Sequence, residues 1–248
     1  MIYEEYCSEL EREVDRFADA LANADLTARV PSCPEWTIRD LTKHLGTVHR
    51  WAEELVRTRA TQRFSLAAMG AVIVEVDNEW LRSGGHSLVE TLRSANPDEP
   101  MWAWGADQHV RFWARRQLHE TLVHRIDLGL GMGVASSIDS RVALDAVDEF
   151  LDNVKTDRDI SLKARPTRSE GESFEIRTVD LSNRWAVELS VDGYEFVDAL
   201  SKPDAALIGE PAELLAVLLR RRPLAQCDVM VQGDESLVDY WLRETAFQ

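Results

Sequence analysis

Positive charge is scarce in this sequence of 248 residues. Only 28 lysine and arginine residues stand against 44 aspartate and glutamate residues, which gives a formal net charge of -16 at neutral pH. A surface of that charge repels phosphate backbones and anionic lipid headgroups. The composition therefore argues against nucleic acids and membrane surfaces as partners.

Long apolar runs and cysteines are also scarce. No run approaches the roughly 20 apolar residues of a membrane span, and the acidic stretch Met1–Cys7 lacks the basic and apolar regions of a signal peptide. The three cysteines are scattered and odd in number, so they do not form a disulfide framework. We expect a cytoplasmic protein of one large or two modest domains, either a monomer or a homodimer.

The first 155 residues show the periodicity of amphipathic helices. Thr37 and Asp40 have the spacing of a capping box that begins the second helix. Gly84-Gly85 is predicted to break the third helix, with Ser87 beginning a shorter one, and the glycine-rich run after Leu128 is predicted to end the helix that precedes it. The main helices are predicted at about 3–24, 37–55, 66–83, 109–128 and 140–154, which favours an antiparallel bundle over residues 1–155.

From residue 156 onward the pattern becomes that of a small α+β domain. Residues 174–179 and 185–191 alternate apolar and polar side chains, the period of half-buried strands. Shorter strands are predicted at 194–196, 205–208 and 227–231, and helices at 211–222 and 236–246. The predicted fold is thus a two-domain α+β protein, with residues 1–155 helical and residues 156–248 mixed.

Glu120 and His124 are four residues apart in a predicted helix, so both side chains leave the same face one turn apart. A carboxylate and an imidazole in that arrangement can share a divalent metal if a third ligand comes from elsewhere in the fold. The same spacing also occurs on an ordinary exposed helix face.

His44 lies within the apolar stripe of the second helix, where it is either a metal ligand or a core-edge histidine that bonds to a neighbour. His49 lies about 140° around the same helix. The two histidines are therefore not expected to bind one ion.

Two further groups have alternative interpretations. Trp102 and Trp104 lie in a predicted loop over 96–107, where they either anchor the loop to the core or form a wall for a substrate. Cys33 is either structural, or a nucleophile or fourth metal ligand, and the sequence identifies no base for it.

With these motifs placed, the chain resembles the mycothiol-dependent maleylpyruvate isomerase family. Three stretches carry the resemblance: Val30–Leu45, His119–Asp127 and Leu214–Leu224. It implies a DinB-like, metal-binding four-helix N-terminal domain and a small, sterol-carrier-like α+β C-terminal domain.

The resemblance also implies site residues. The family's metal triad falls on His44, Glu120 and His124. The metal is usually zinc, although two histidines and one carboxylate also suit iron, nickel or manganese. Asp127 is a candidate by its position, one turn or less after these ligands, and would either orient a ligand imidazole or form a salt bridge at the helix end.

The family's thiol-binding arginine corresponds to Arg221, with Arg220 beside it at a position where relatives tend to have glycine. The alternative for these arginines is that they complement the dipole at the end of a helix.

The implied function is that of an actinobacterial type of isomerase or S-transferase. Mycothiol or a related thiol would bind the open metal position as a thiolate and add to a small electrophilic substrate. The thiol then leaves in an isomerase and stays in a transferase. The alternatives are a metal-containing binding or regulatory protein without catalysis, and a DinB-type metal hydrolase that needs no thiol.

Overall fold

The computed structural model describes residues 1–65, 75–156, 171–180, 182–190 and 193–245. Contacts divide the chain into two compact units, Met1–Ser137 and Ile138–Gln248. None of the helices in the described ranges combines the length and the apolar character that crossing a membrane requires.

The N-terminal unit is a four-helix bundle with a short β-hairpin. Its elements are α1 (Tyr3–Leu21), β1 (Arg29–Val30), β2 (Cys33–Thr37), α2 (Ile38–Thr58), α3 (Asn78–Ser94) and α4 (Val110–Met132). Helices α1 and α2 each pack against α3 and α4. The buried apolar residues of α1, which include Leu10, Val14 and Phe17, lie in the core of the bundle.

The capping box predicted for α2 is confirmed. The backbone N–H of Asp40 donates to Thr37 Oγ1 at 3.2 Å, and the backbone N–H of Thr37 donates to Asp40 Oδ2 at 2.9 Å. These bonds satisfy amide groups that the first turn of a helix leaves without partners. The hairpin therefore leads directly into α2, which places His44 in its second turn.

The predicted break at Gly84-Gly85, and the helix start at Ser87, are wrong, because α3 runs through them. Both glycines lie at close helix contacts. A Cβ added to Gly85 would lie 2.5 Å from Val14 Cγ1 on α1, and one added to Gly84 would lie 2.2 Å from the guanidinium of Arg50 on α2. The glycines serve helix packing instead of termination. The predicted start of this helix, residues 66–74, lies outside the described residues.

The glycine-rich run 129–133 ends α4 as predicted, but the helix continues to Met132 and does not stop at about Leu128. It ends at Gly133, whose φ of 69° is a left-handed conformation typical of glycine after a helix. Gly129 and Gly131 stay helical, and Gly131 lies where a Cβ would be 3.2 Å from Ile38.

The C-terminal unit combines helices with a five-stranded mixed sheet. Its elements are α5 (Ser140–Thr156), β3 (Ser173–Thr178), β4 (Arg184–Ser190), β5 (Gly193–Val197), β6 (Ala205–Gly209), α6 (Pro211–Leu218), β7 (Val229–Gly233) and α7 (Glu235–Glu244). The strand order is β5-β4-β3-β6-β7, in which the β3–β6 pair is parallel and the other pairs are antiparallel. A 3₁₀ turn precedes β7.

Helix α5 belongs to this unit, although the sequence predicted it as part of the bundle. It packs against α6. Trp185 Nε1 on β4 donates to Asp148 Oδ1 at 2.7 Å, and the Tyr194 hydroxyl on β5 donates to the Val154 carbonyl at 2.6 Å. The division between the units consequently falls at 137/138, whereas the sequence predicted 155/156. Both bonds join residues far apart in the chain, so no local pattern indicates them.

The core of the C-terminal unit includes Trp241 of α7, which is fully buried. Its ring lies 5.6 Å from that of Phe174 and 5.2 Å from that of Tyr194. Aromatic pairs at these separations add to the stability that their burial provides.

Candidate metal site

Helices α2 and α4 bring the three predicted ligands together. His44, Glu120 and His124 each offer a ligand atom, and these atoms lie within 4.8 Å of one another. His44 Nε2 lies 3.5 Å, and His124 Nε2 3.2 Å, from Glu120 Oε1. Two imidazoles and one carboxylate converging on one point fit a divalent transition metal. Metal binding itself stays a prediction.

Glu120 is ionised in this setting. Burial alone would raise its pKa, but the charge of Arg116 and hydrogen bonds from His124 and His44 hold the pKa well below its usual range. Arg116 lies one turn before Glu120 and forms an ion pair with it. An ionised carboxylate is the form that ligates a metal.

Asp127 contacts the ring of His124 from the side opposite Glu120. His124 Nδ1 lies 3.0 Å from Asp127 Oδ2, and Ser32 Oγ donates to Asp127 Oδ1 at 2.5 Å. Burial would lower the pKa of His124, but hydrogen bonds to Asp127 and Glu120 raise it to about 9. A carboxylate on Nδ1 leaves Nε2 as the ligating nitrogen. The contact is an ion pair within α4 and is compatible with the orienting role, which stays a prediction.

His49 lies apart from this group and is completely buried. Its Nε2 lies 2.9 Å from Thr121 Oγ1, whose hydroxyl donates to the Gln117 carbonyl at 2.7 Å. Because that hydroxyl proton is already used, Nε2 carries the proton of the His49 ring. Its Nδ1 has no hydrogen-bond partner within the described ranges. Burial lowers the pKa of His49 to about 3, as expected for a neutral core histidine.

An open depression of about 520 Å³ adjoins His44. The ring of Trp36 lies 4.9 Å from that of His44 and forms one wall. The lining residues are Glu35, Trp36, Asp40, Lys43, His44 and Thr47. Cys33, on the same strand as Trp36, packs against the bundle core. The ligand group found among the described residues does not include Cys33.

The predicted aromatic loop is anchored to the core. Trp113 Nε1 of α4 donates to the Trp102 carbonyl at 3.1 Å. The ring of Trp113 lies 5.2 Å from the ring of Trp104 and 5.3 Å from the ring of Trp51 on α2. Trp51 follows His44 by seven residues, so this aromatic cluster lies about two helical turns from the ligands. The contacts favour anchoring over a substrate wall.

Arg220 and Arg221 follow α6 in the C-terminal unit, because that helix ends at Leu218 and not at Arg222 as predicted. Arg220 is exposed, with a φ of 56°, the left-handed region in which glycine is favoured. Arg221 donates to the Leu219 carbonyl at 2.8 Å, and Arg222 forms an ion pair with Glu213. The thiol-binding role of Arg220 and Arg221 stays a prediction.

Two residues that contact the site, Arg116 and Ser32, were not predicted from the sequence. Arg116 precedes Glu120 by four residues, and this spacing on a helix was a usable signal for an ion pair. Ser32 reaches Asp127 from 95 residues away in the chain, and no local pattern indicates such a contact.

Residues 7–129 match the family model described as the mycothiol maleylpyruvate isomerase N-terminal domain. This match assigns the N-terminal domain to that family. The matched residues include the hairpin, all three candidate ligands and Asp127.

Two solved structures resemble the whole chain. One is titled as a crystal structure of the mycothiol-dependent maleylpyruvate isomerase, and the other as a histidine-to-alanine mutant of that enzyme. Their TM-scores are 0.63 and 0.64, each at 16% sequence identity with 94% of this chain and 95% of the other covered. This likeness confirms the predicted fold, a helical N-terminal domain with a small α+β domain. Curated protein sequences gave no significant match.

Proposed function

We propose that the protein is a metal-dependent enzyme that uses mycothiol or a related thiol to isomerise, or transfer the thiol to, a small electrophilic substrate. The observation that carries the proposal is the convergence of two imidazoles and one carboxylate within 4.8 Å. The family description and the titles of the two similar structures, which name a mycothiol-dependent isomerase, support the thiol and the reaction class.

His44, Glu120 and His124 would hold the metal, most readily zinc, and three protein ligands leave a position open for a small molecule. A divalent metal, when bound there, lowers the pKa of a thiol that occupies the open position. Arg116 keeps Glu120 ionised, and Asp127 holds the Nδ1 proton of His124 so that Nε2 faces Glu120.

The depression beside His44 provides access for a small substrate. It is open to solvent, and Trp36 gives it an apolar wall next to the candidate ligand. Small-molecule sites commonly combine an apolar wall with a few converging polar groups. The depression therefore suits a small electrophile that approaches the site from the His44 side.

Arg221 is the proposed contact for the thiol, with Arg220 beside it. A guanidinium offers several donors in a fixed geometry, which suits the polar groups of such a molecule. We expect Arg221→Ala to raise the KM for the thiol while metal content stays unchanged. Arg243→Ala, an exposed arginine on α7, is the control. An unchanged KM in Arg221→Ala would remove the arginine from the thiol site.

The metal is tested by elemental analysis of purified protein. Wild type is expected to hold near one equivalent of zinc or another divalent metal, and His44→Ala, Glu120→Ala and His124→Ala are expected to hold much less. His49→Gln and His86→Ala are the matched controls, because neither histidine belongs to the ligand group. Wild-type protein without metal, prepared without chelators, would refute the proposal.

The reaction is tested by turnover of small electrophiles with the metal-loaded protein. Consumption that requires a thiol supports the proposed function. Stoichiometric metal without turnover would point to a binding or regulatory protein. Turnover that needs no thiol would point to a metal hydrolase.

A further inference from the structure

We infer that Ser32 is a positioning residue for the candidate metal ligand His124, acting through Asp127. This inference rests on the proposed metal site. It gives a role to the turn between β1 and β2, which the proposed reaction does not otherwise use.

The hydrogen bond from Ser32 Oγ to Asp127 Oδ1, at 2.5 Å, connects the hairpin turn to α4. A hydroxyl that donates to a carboxylate forms one of the stronger hydrogen bonds in proteins, because the acceptor is charged. Asp127 has no exposed surface, so no bulk solvent competes for this oxygen. The contact therefore restrains the carboxylate strongly.

The second oxygen of the same carboxylate holds the ligand. Asp127 Oδ2 lies 3.0 Å from His124 Nδ1, while His124 Nε2 faces Glu120. With Oδ1 held by Ser32, the plane of the carboxylate is fixed, and Oδ2 then fixes the rotation of the imidazole. Groups that orient metal-bound histidines in this way typically change metal affinity by 10- to 100-fold when they are removed.

Ser32 itself is held in place. Arg29 donates to the Glu35 carbonyl at 2.8 Å across the hairpin, and the backbone N–H of Ile38 donates to the Ala28 carbonyl at 2.9 Å. Val30, at the end of β1, is completely buried in the bundle core. Proline at position 31 further restricts the backbone just before Ser32. The serine hydroxyl thus reaches Asp127 from a rigid support.

The test measures affinity for Co²⁺, a spectroscopic probe of the site, in metal-free full-length protein. We expect Ser32→Ala to weaken Co²⁺ binding about tenfold and to alter its visible absorption bands. Ser32→Thr keeps the hydroxyl and is expected to restore both to near the wild-type values. Thr27→Ala is the control, because its hydroxyl donates to the carboxylate of Asp25 at 2.7 Å on the exposed loop before the hairpin.

Each outcome bears on a separate claim. Wild-type affinity and bands in Ser32→Ala would overturn the role of Ser32 while leaving the metal site in place. Equal loss in Ser32→Ala and Ser32→Thr, or in Thr27→Ala, would also overturn it, because the effect would not follow the hydroxyl. Wild-type protein that binds neither Co²⁺ nor Zn²⁺ would instead refute the proposed function, and this inference with it.

Discussion

At the scale of single residues, burial and hydrogen bonding give two histidines of α2 different roles. His49 is completely buried and bonds to Thr121. The His44 side chain is 32% exposed and lies beside Glu120. A ligand needs an imidazole nitrogen that points toward other ligands and toward an open space, and only His44 meets that condition.

The buried state of His49 predicts acid sensitivity. Its pKa is about 3 in the folded protein and about 6.5 in the unfolded chain. The unfolded chain therefore binds the extra proton first as the pH falls below about 6.5, so the stability that is fully present above that pH is lost progressively. Between pH 7 and pH 5 we expect the titration of this residue to lower the free energy of unfolding by about 2 kcal/mol.

The measurement compares the urea-unfolding free energy of metal-free wild type and His49→Gln at pH 7 and pH 5. Glutamine can donate to Thr121 but does not titrate in this range. The variant is expected to lose less stability than wild type between the two pH values. Equal losses in both proteins would show that His49 does not titrate as expected.

At the scale of secondary-structure elements, glycines allow the helices of the bundle to approach closely. Gly85 of α3 faces Val14 of α1, and Gly46 of α2 faces the ring of Trp80 on α3. A side chain at either position would enter space that a neighbour already fills. Close packing of this kind fixes α2, and with it the position of His44.

We predict that Gly85→Ala destabilises the protein by about 1 kcal/mol. The added methyl group overlaps Val14, and overpacking of this kind costs about 2 kcal/mol in the middle of its usual range, of which the gain in helix propensity offsets about 1 kcal/mol. Ser83→Ala, at an exposed position of α3, is the control and is expected to change the stability by less than about 0.5 kcal/mol. Urea unfolding checks both, and a Gly85→Ala protein as stable as wild type would contradict the packing argument.

At the scale of the whole molecule, the candidate ligands come from distant parts of the chain and meet only in the folded state. His44 lies on α2, whereas Glu120 and His124 lie on α4. A metal that bridges the two helices binds the folded protein and not the unfolded chain. Binding then contributes directly to the free energy of unfolding.

We predict that free zinc at about 100 times its dissociation constant stabilises the full-length protein by about 2.7 kcal/mol. Thermal unfolding with added zinc and with a chelator measures this as a rise in Tm. His44→Ala lacks one ligand and is expected to show a much smaller rise at the same zinc concentration. An equal rise in both proteins would mean that zinc stabilises the protein at another site.

The amino-acid sequence alone predicted much of the fold and part of the candidate metal site, because the signals for these features are local. The capping box at Thr37 and Asp40, the alternation in the strands and the spacing of Glu120 and His124 all depend on residues close together in the chain. Their geometry follows from the period of a helix or a strand. Asp127 likewise follows His124 by three residues on the same helix. The family resemblance then joined His44 to these residues, which spacing alone does not do.

Only the tertiary structure decided the features that depend on distant contacts. Gly84 and Gly85 have the local character of a helix break, yet α3 runs through them, and their lack of a side chain leaves room for Val14 and Arg50 of the neighbouring helices. Helix α5 has the periodicity of a bundle helix, yet its bonds to Trp185 and Tyr194 place it with the sheet. Ser32 shows no sign of its role until the fold brings it to Asp127. A local pattern fixes which face of an element is apolar, whereas the partner of that face is chosen by packing across the whole chain.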